Sequence, residues 1–229
     1  MKYTLFLVAF LIVGQCFGQK KKSNYNTDEN RKQLIEQIGD NRLKIDYLID
    51  QYAKDTNDVV ILRDLAVLYY QGNGLVQAYN ICQLVLKKEK NDVFALRMTA
   101  GIFEKNNQVE EAILHYQKLL AVSETNQDYY QLASLYFKNE NYKSCQHYLS
   151  KVLSKEAGDD KVLITFEKDK QTMNQMVAVH AAAYNMLGFV YMNQNEIEKA
   201  KEMCEIALKI DPNFELAKGN LAYLSSVKE

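Results

Sequence analysis

From Leu34 onward, apolar side chains recur at the three- and four-residue spacing of amphipathic helices. Residues 19–33 are polar, begin with a basic cluster and show no apolar period, so they predict a flexible leader or the frayed start of a helix. Residues 34–58 predict N-terminal capping helices or a degenerate repeat. Gly39 and Asp40 predict a break and an N-cap between two such helices, and one long helix through Gly39 is the alternative.

A longer period, of about 34 residues, runs through the chain after residue 58. Aligning residue 59 with residues 93, 126 and 181 brings side chains of the same kind into the same columns. The alignment predicts repeat units at 59–92, 93–125, 126–159 and 181–214. The clearest columns are Ala66, Ala100, Ala133 and Gly188; Tyr69, Phe103, Tyr136 and Tyr191; and Ala78, Ala112, Cys145 and Ala200. Small residues let two helices approach closely, so each unit predicts a tightly packed helix pair.

The fourth unit reads Tyr184-x2-Leu187-Gly188-x2-Tyr191, followed by Ala200, Cys204, Ala207 and Pro212. In this pattern the chain resembles the tetratricopeptide repeat family, with Cys204 in place of the second aromatic residue. The first three units lack the Gly and the Pro but keep the phase. The resemblance implies an all-α fold, a right-handed α-solenoid of helix-turn-helix repeats, with residues 215–229 as a C-terminal capping helix.

Residues 160–180 interrupt the period as an insertion before the last repeat. The segment from Val162 to Phe166 has the β-branched and aromatic content of a strand, and Met173 to Val179 could pair back with it, which predicts a β-hairpin. The alternative extends the first helix of the fourth unit backward through Met173, since helical spacing also continues there. An isolated hairpin is marginal in water, so this one would have to pack on the solenoid or on a partner.

The resemblance places the functional surface on the concave groove built by the first helix of each unit. The groove positions of the repeats then give a predicted partner-binding row of Arg63, Tyr70, Phe94, Arg97, Lys105, Tyr130, Phe137, Lys138, Asn185, Phe189 and Asn193, with Glu104 at another of these positions. Aromatic and Arg side chains are enriched at binding hot spots. The row would suit an extended or helical peptide with acidic groups, and ordinary repeat surface is the alternative interpretation.

The N-terminus has a charged start followed by the short apolar run from Leu5 to Val13, which predicts a signal peptide over residues 1–18. The apolar run is too short to cross a bilayer. Cleavage after Gly18 would also remove it and leave no membrane span. The alternative is a lipoprotein acylated at Cys16, although Gln15 is larger than the small residue that the lipoprotein motif requires. Both interpretations predict an exported protein of the periplasm or cell envelope.

Charge and chemistry narrow the function further. The formal net charge is -1 with acidic and basic residues interleaved, so no face predicts nucleic-acid binding. Cys145 and His147 are too close in sequence to face each other on a helix, and His115 and His147 without further ligands make a poor zinc site. We therefore predict no catalytic residues, metal or cofactor. An enzyme would instead require a deep pocket converging on His180, Glu167 and Cys145.

Cys82, Cys145 and Cys204 fall at columns that pack in the repeat core, which predicts buried free thiols. Together these features predict a non-catalytic protein–protein interaction scaffold of the cell envelope. Two alternatives stay open: a lipid-anchored accessory subunit acylated at Cys16, and a structural protein that self-assembles through its open repeat ends. Sedimentation at several concentrations would reveal such self-assembly.

Overall fold

The computed structural model describes residues 27–168 and 170–226. The helices of this part are α1 Thr27–Ile38, α2 Asn41–Lys54, α3 Val59–Gln71, α4 Leu75–Lys88, α5 Val93–Lys105, α6 Val109–Leu120, α7 Asn126–Lys138, α8 Tyr142–Leu153, α9 Val179–Asn193, α10 Ile197–Ile210 and α11 Glu215–Ser226. Strands β1 Lys161–Lys168 and β2 Gln171–Ala178 lie between α8 and α9. The predicted helical repeat fold with a hairpin before the last repeat is confirmed.

The described residues fall into two compact units, one that extends to Asp50 and one that begins at Gln51. In the first unit, α1 begins at Thr27, so residues 27–33 form the start of a helix, as the alternative interpretation predicts, and the flexible leader is wrong for them. Acidic residues in the first turn of α1 favour the helix N-terminus, and Arg31 contacts Asp50 at 2.5 Å. Residues 19–26 of the predicted leader and the predicted signal peptide lie outside the described residues.

The predicted break at Gly39 and Asp40 is confirmed. Gly39 has a φ of 71°, a conformation that ends α1 at little cost because glycine has no Cβ. The Asp40 carboxylate then accepts hydrogen bonds from the amides of Arg42 at 2.7 Å and Leu43 at 3.4 Å. These bonds cap α2 in the manner expected of an N-terminal Asp.

The second unit is a stack of helix pairs. Helix α3 packs on α4, α5 on α6, α7 on α8 and α9 on α10, and α11 packs on α10. Neighbouring pairs contact each other through α4 and α5, α6 and α7, and α8 and α9. The helices α3, α5 and α7 begin at Val59, Val93 and Asn126, where the sequence alignment places the starts of the first three units. Each pair therefore corresponds to one repeat.

The turn within each repeat has the same backbone geometry. Its middle residue is left-handed, with φ of 61° at Asn73, 59° at Asn107, 57° at Glu140 and 60° at Asn195. The following amide donates back to the end of the first helix, as Gly74 does to the Tyr69 carbonyl at 2.7 Å. Asn tolerates this conformation better than most residues. The Asn that recurs here is therefore a sequence signal for the turn.

A side chain caps the first helix of each of the first three repeats, but no side chain caps that of the fourth. Asp58, Asp92 and Thr125 accept hydrogen bonds from first-turn amides of α3, α5 and α7. Helix α9 follows β2 directly after Ala178 and has no side-chain cap. The amide of its first residue, Val179, instead donates to the Asp160 carbonyl at 2.9 Å. The hairpin thus replaces the cap of the fourth repeat.

The small-residue columns lie at the centre of the repeats, where Ala66, Ala100, Ala133 and Gly188 are all buried. A Cβ at Gly188 would lie 3.1 Å from Cys204 Sγ and 3.3 Å from the Ala200 carbonyl oxygen. These distances are tighter than ordinary packing. The fourth repeat therefore needs glycine where the first three accommodate alanine.

The predicted hairpin is confirmed, and the alternative of a helix through Met173 is wrong. The two strands pair antiparallel, with Val162 opposite Val177 and Leu163 opposite Met176. Val162 and Val177 are buried in the same apolar cluster as residues of α7, α8 and α9. Leu163 and Met176 on the opposite face are 56% and 55% exposed. One face of the hairpin therefore packs on the repeats, which stabilises it where an isolated hairpin would be marginal.

Candidate binding cleft

A cleft of about 410 Å³ lies between α7, α9 and β1, with α5 and α11 at its ends. Its apolar lining consists of Tyr130, Phe137, Leu163, Ile164, Met186, Phe189 and Leu216. Its polar lining consists of Glu104, Gln131, Ser134, Thr165 and Asn185. A volume in the range of about 300 to 1,000 Å³ is typical of ligand sites. The exposed lining of this cleft is mixed, and polar groups contribute slightly more of it than apolar groups.

The aromatic wall of the cleft follows from helical spacing. Tyr130, Ser134 and Phe137 are four and three residues apart on α7, so they share one face of that helix. The Phe137 ring lies 6.1 Å from the Phe189 ring of α9, with the planes at 52°, and 5.6 Å from the Tyr142 ring. Adjacent repeats thus place two aromatic rings side by side on the wall.

The hairpin forms the opposite wall because both of its ends are attached to the repeats. Gln127 of α7 donates its side-chain amide to the Lys161 carbonyl at 3.1 Å. Lys168, at the far end of β1, forms an ion pair with Glu215 of α11 at 2.8 Å. Between these ends, Gln175 of β2 donates to the Asn213 carbonyl at 2.6 Å. These bonds hold β1 across the first helices of the last repeats.

Glu104 contributes the one carboxylate among the cleft-lining residues. It accepts a hydrogen bond from the Tyr116 hydroxyl at 3.4 Å, a weak contact. Burial raises the pKa of Glu104, an effect that the Tyr116 hydrogen bond and the charge of Lys138 oppose. Burial, followed by the charge of Glu104, also raises the pKa of Tyr116. The carboxylate therefore lies in a poorly solvated position at the α5 end of the cleft.

Four residues of the predicted binding row meet at this cleft: Tyr130, Phe137, Asn185 and Phe189. Tyr130 is only 6% exposed and packs in the same apolar cluster as the buried hairpin residues. Asn185 is buried, and its side-chain carbonyl accepts a hydrogen bond from Asn220 of α11 at 2.8 Å. The row is thus a continuous surface only in the last two repeats.

The predicted binding residues Arg63 and Arg97 lie outside the cleft and connect neighbouring repeats. Arg63 of α3 pairs with Glu89 at 2.7 Å and with Asp92, the N-cap of α5. Arg97 of α5 donates two hydrogen bonds, at 2.8 and 2.7 Å, to the buried carboxylate of Asp128 in α7. The Asp128 carboxylate, which accepts these hydrogen bonds, raises the pKa of Arg97. The positive charges of Arg63 and Arg97 are therefore largely neutralised by carboxylates of the chain.

Tyr70 and the two predicted lysines also connect neighbouring repeats. Lys105 places its Nζ 4.5 Å from the centre of the Tyr70 ring and donates to the Tyr70 carbonyl at 3.2 Å. Lys138 donates to the Asn107 side-chain carbonyl, in the turn of the preceding repeat, at 2.6 Å. Both lysines are exposed, so these contacts are readily exchanged for water.

The last two predicted residues have local roles. Phe94 is partly buried against the apolar cluster of the first two repeats, which includes Leu62 and Ala95. Asn193, the last residue of α9, donates its side-chain amide to the Phe189 carbonyl at 2.9 Å. Neither residue lines the cleft.

Sequence periodicity did not identify the residues that the hairpin and the final helix bring to the cleft. Leu163, Ile164 and Thr165 come from the insertion, and Leu216 comes from α11, outside the predicted binding row. Alternate residues at the start of β1 are buried, but the apolar run of Val162, Leu163 and Ile164 did not indicate which of them would be exposed. The surface against which this strand would pack was not readable, because the repeat period carries no information about an insertion.

The residues proposed as the test for an enzyme do not converge. His180 is buried and its Nε2 lies 3.0 Å from the Lys155 carbonyl. Glu167 accepts a hydrogen bond from Thr172 on the outer face of the hairpin at 2.7 Å. Cys145 is buried in α8. None of the three lines the cleft.

All three described cysteines are free and buried, as predicted. Burial is the main cause that raises the pKa of Cys82 to about 11, of Cys145 to about 12 and of Cys204 to about 11. A thiol with such a pKa is almost entirely protonated at neutral pH and is a poor nucleophile.

Histidines and acidic residues do not form a metal site in the described residues, where no group of three or more potential ligands occurs. His115 stacks on Phe103 with ring centres 4.7 Å apart, and His147 contacts Tyr148 edge-on at 5.1 Å. Across residues 27–168 and 170–226, no helix has the length and apolar character needed to cross a membrane.

Comparison with known families gives matches in two parts of the chain. A model of the tetratricopeptide repeat matches residues 181–214, the fourth unit of the sequence alignment. A model described as anaphase-promoting complex, cyclosome, subunit 3 matches residues 105–165. No curated protein sequence matches the chain significantly.

Several solved structures have a similar fold. A tetratricopeptide repeat protein from Parabacteroides merdae ATCC 43184 gives a TM-score of 0.66 at 14% identity, covering 87% of this chain and 72% of that one. YrrB, described as a TPR protein with an unusual peptide-binding site, gives 0.58 at 16% identity, covering 78% and 82%. MamA gives 0.57 at 21% identity, covering 72% and 80%. At these identities the likeness concerns the fold. Together with the match of residues 181–214 to the repeat model, it shows that the chain has the fold of tetratricopeptide repeat proteins.

Proposed function

We propose that this protein is a non-catalytic scaffold for protein–protein interaction that holds a peptide or protein segment in the cleft. The observation that carries the proposal is the convergence of Tyr130, Phe137, Asn185 and Phe189 with strand β1 around one cavity. Aromatic side chains that line a pocket are the groups that most often supply binding energy at interfaces. The peptide-binding site named for YrrB is consistent with such a role for this fold.

The charge of the expected ligand differs from the sequence-based expectation. A row of cations would favour an acidic peptide, but Arg63 and Arg97 already bind carboxylates of this chain. The cleft itself has a mixed lining of aromatic, aliphatic and uncharged polar side chains and contains Glu104 as its one charged lining residue. Recognition in this cleft therefore depends on aromatic contact and shape, and an acidic ligand is disfavoured.

A photo-crosslinking residue incorporated in cells tests the site. We expect the crosslinker at Phe189 to give a discrete adduct, because this ring lies on the cleft wall. The matched control is Val76 on α4, which is 70% exposed and lies away from the cleft. An adduct at both positions, or at neither, would contradict the assignment of the cleft as the binding site. The adduct mass and peptide sequencing would identify the partner.

We further propose that the scaffold works in the cell envelope, on the strength of the signal-peptide pattern in residues 1–18. Intact-mass measurement of the protein purified from its own cells tests this location. A mature chain that begins at Gln19 supports export with cleavage, and an acylated Cys16 supports the lipid-anchored alternative. A chain that retains Met1 would contradict both.

A further inference from the structure

We infer that the partner segment binds in the cleft as an extended strand that pairs with the free edge of β1 and presents a Lys or Arg side chain to Glu104. The inference deepens the proposed function and rests on it. It specifies the conformation and the charge of the segment, neither of which follows from an aromatic groove alone.

The free edge of β1 faces the cleft. Strand β1 pairs with β2 on one side only. On the other side, the Lys161 carbonyl accepts a hydrogen bond from Gln127 of α7, so this carbonyl points away from β2. Antiparallel pairing uses the amide and carbonyl of alternate residues. The backbone groups of Leu163 and Thr165 therefore point in the same direction as the Lys161 carbonyl, toward α7.

These outward groups have room for a partner. Leu163, Ile164 and Thr165 all line the cleft, whereas β2 contributes no residue to it. In the described part of the chain, no backbone hydrogen bond from another element reaches Leu163 or Thr165. An unpaired strand edge beside a cavity is the arrangement that binds extended peptides by strand addition. Main-chain hydrogen bonds then give affinity, and pockets for alternate side chains give specificity.

Side chains of an added strand would find different surroundings on its two faces. The inward face would meet Phe137 and Phe189, which lie on the opposite wall of the cleft. The outward face would lie beside the exposed cross-strand pair of Leu163 and Met176. An added strand would present alternate side chains to these two surfaces, because side chains alternate between the faces of a strand.

Glu104 sets the charge of the segment. No cation contacts this carboxylate in an ion pair within residues 27–168 and 170–226, its hydrogen bond from Tyr116 is long, and the nearby charge of Lys138 offsets its burial only in part. A partly buried carboxylate without a contacting counter-ion favours an incoming cation, since pairing offsets its desolvation. Burial keeps the pKa of Glu104 raised although the Tyr116 hydrogen bond and the charge of Lys138 lower it, which agrees with a carboxylate that no cation contacts directly. A basic side chain of the ligand would supply the missing partner.

A panel of synthetic peptides tests the inference on the full chain. The probes are acetylated and amidated seven-residue peptides of alternating Val and Thr, with one Lys placed at each position in turn. We expect at least one register to bind, and N-methylation of that peptide at alternate backbone amides to weaken binding roughly five- to tenfold. Methylation of the intervening amides, which point away from β1, should have little effect. Absence of binding by every peptide up to millimolar concentration would overturn the inference.

Two protein variants provide matched controls. Leu163→Pro removes an amide on the free edge of β1, and Met176→Pro changes the opposite residue on β2, on the far edge of the hairpin. We expect roughly five- to tenfold weaker binding only for Leu163→Pro, with circular dichroism unchanged for both. Glu104→Gln should weaken the Lys peptide and leave its norleucine analogue unaffected. Equal affinity of the two peptides for the native chain would refute the predicted basic residue.

The peptide experiment also separates this inference from the proposed function. If a peptide binds, tolerates N-methylation at every position and loses binding in Phe189→Ala, the cleft is a binding site but strand addition is wrong. If instead a peptide binds with the same affinity to the native chain, to Phe189→Ala and to Phe137→Ala, the cleft assignment itself fails. Crosslinking at Phe189 provides the independent result for the proposed function when the panel gives no binder.

Discussion

The junction between the second and third repeats and the junction between the third and fourth are held by different forces. At the first, Arg97 of α5 reaches the Asp128 carboxylate of α7 through two hydrogen bonds. At the second, the equivalent position of α7 is Tyr130, which packs in the apolar cluster shared with the hairpin. A charged connection at one junction is thus replaced by apolar burial at the next.

This difference indicates how an insertion changes a repeat protein. Where no insertion lies between two repeats, the fifth residue of the first helix can form an ion pair with the next repeat, as Arg63 and Arg97 do. Where the hairpin lies across the helices, the same position provides an apolar surface for it. The hairpin therefore supplies a binding wall and also replaces the charged link between repeats.

The largest expected effect comes from a charge under the hairpin. Val177→Asp places a carboxylate at a fully buried position, and we expect a loss of roughly 3 to 5 kcal/mol in the free energy of unfolding. Hydrogen exchange should show the loss in α7 to α11 and little change in α3 to α6. The control Met176→Asp, on the exposed face of the hairpin, should change stability by less than about 0.5 kcal/mol. Similar losses in both variants would mean that the hairpin does not pack as described.

A smaller effect is expected at the charged junction. Arg97→Gln leaves the buried Asp128 carboxylate without its bidentate partner, and we expect a loss of about 1 to 2 kcal/mol, reduced because the Arg97 side chain is 44% exposed. Denaturant unfolding at low and high salt measures this loss, which should shrink as salt screens the pair. Lys87→Gln, an exposed change of the same charge, is the control. An equal and salt-independent loss in the two variants would exclude a role for the pair.

Two glycine substitutions should have opposite signs. Gly188→Ala introduces a methyl group 3.1 Å from Cys204 Sγ, and we expect a loss of about 1 kcal/mol or more. Gly101→Ala meets only the Tyr70 hydroxyl at 3.9 Å, so its better helix propensity should stabilise α5 by about 0.5 to 1 kcal/mol. Thermal unfolding of the two variants compares the fourth repeat with the second. Stabilisation by both would show that the fourth repeat tolerates the closer approach.

The smallest expected effect is a pH dependence from Glu104. Its folded-state pKa is raised above the usual 4.5 by burial, so the ionised carboxylate opposes folding. Below that usual value both states are protonated and the cost is absent, and it appears in full once the pH exceeds the folded-state pKa. Glu104→Gln should therefore melt at a higher temperature than the native chain at neutral pH and at the same temperature near pH 4. An identical difference at both pH values would contradict this assignment.

The repeat phase predicted the core well because the packing of successive helix pairs repeats with the sequence. Ala66, Ala100, Ala133 and Gly188 occupy one column of the alignment and are all buried in the structure. The hairpin was also predictable, since the apolar and β-branched content of residues 162–166 is local information. These features depend on residues close in sequence or on the period itself.

The binding surface was harder to predict because it depends on contacts between distant parts of the chain. The phase placed Arg63 and Arg97 on the first helices correctly, but it could not show that Asp92 and Asp128 would bind them. The sequence contained one signal for these ion pairs. In both cases an Arg at the fifth position of a repeat is followed by an Asp near the start of the next repeat. The position of β1 against Phe137 and Phe189 had no counterpart in the sequence pattern.

The unpaired edge of β1 also has a consequence for solubility. Exposed strand edges bearing apolar residues can pair between molecules, and proteins commonly limit this with lysine at the ends of such strands. Strand β1 begins at Lys161 and ends at Lys168, while Leu163 is exposed between them. A segment bound in the cleft would cover this edge. Occupancy of the cleft should therefore raise the concentration at which the protein stays monodisperse.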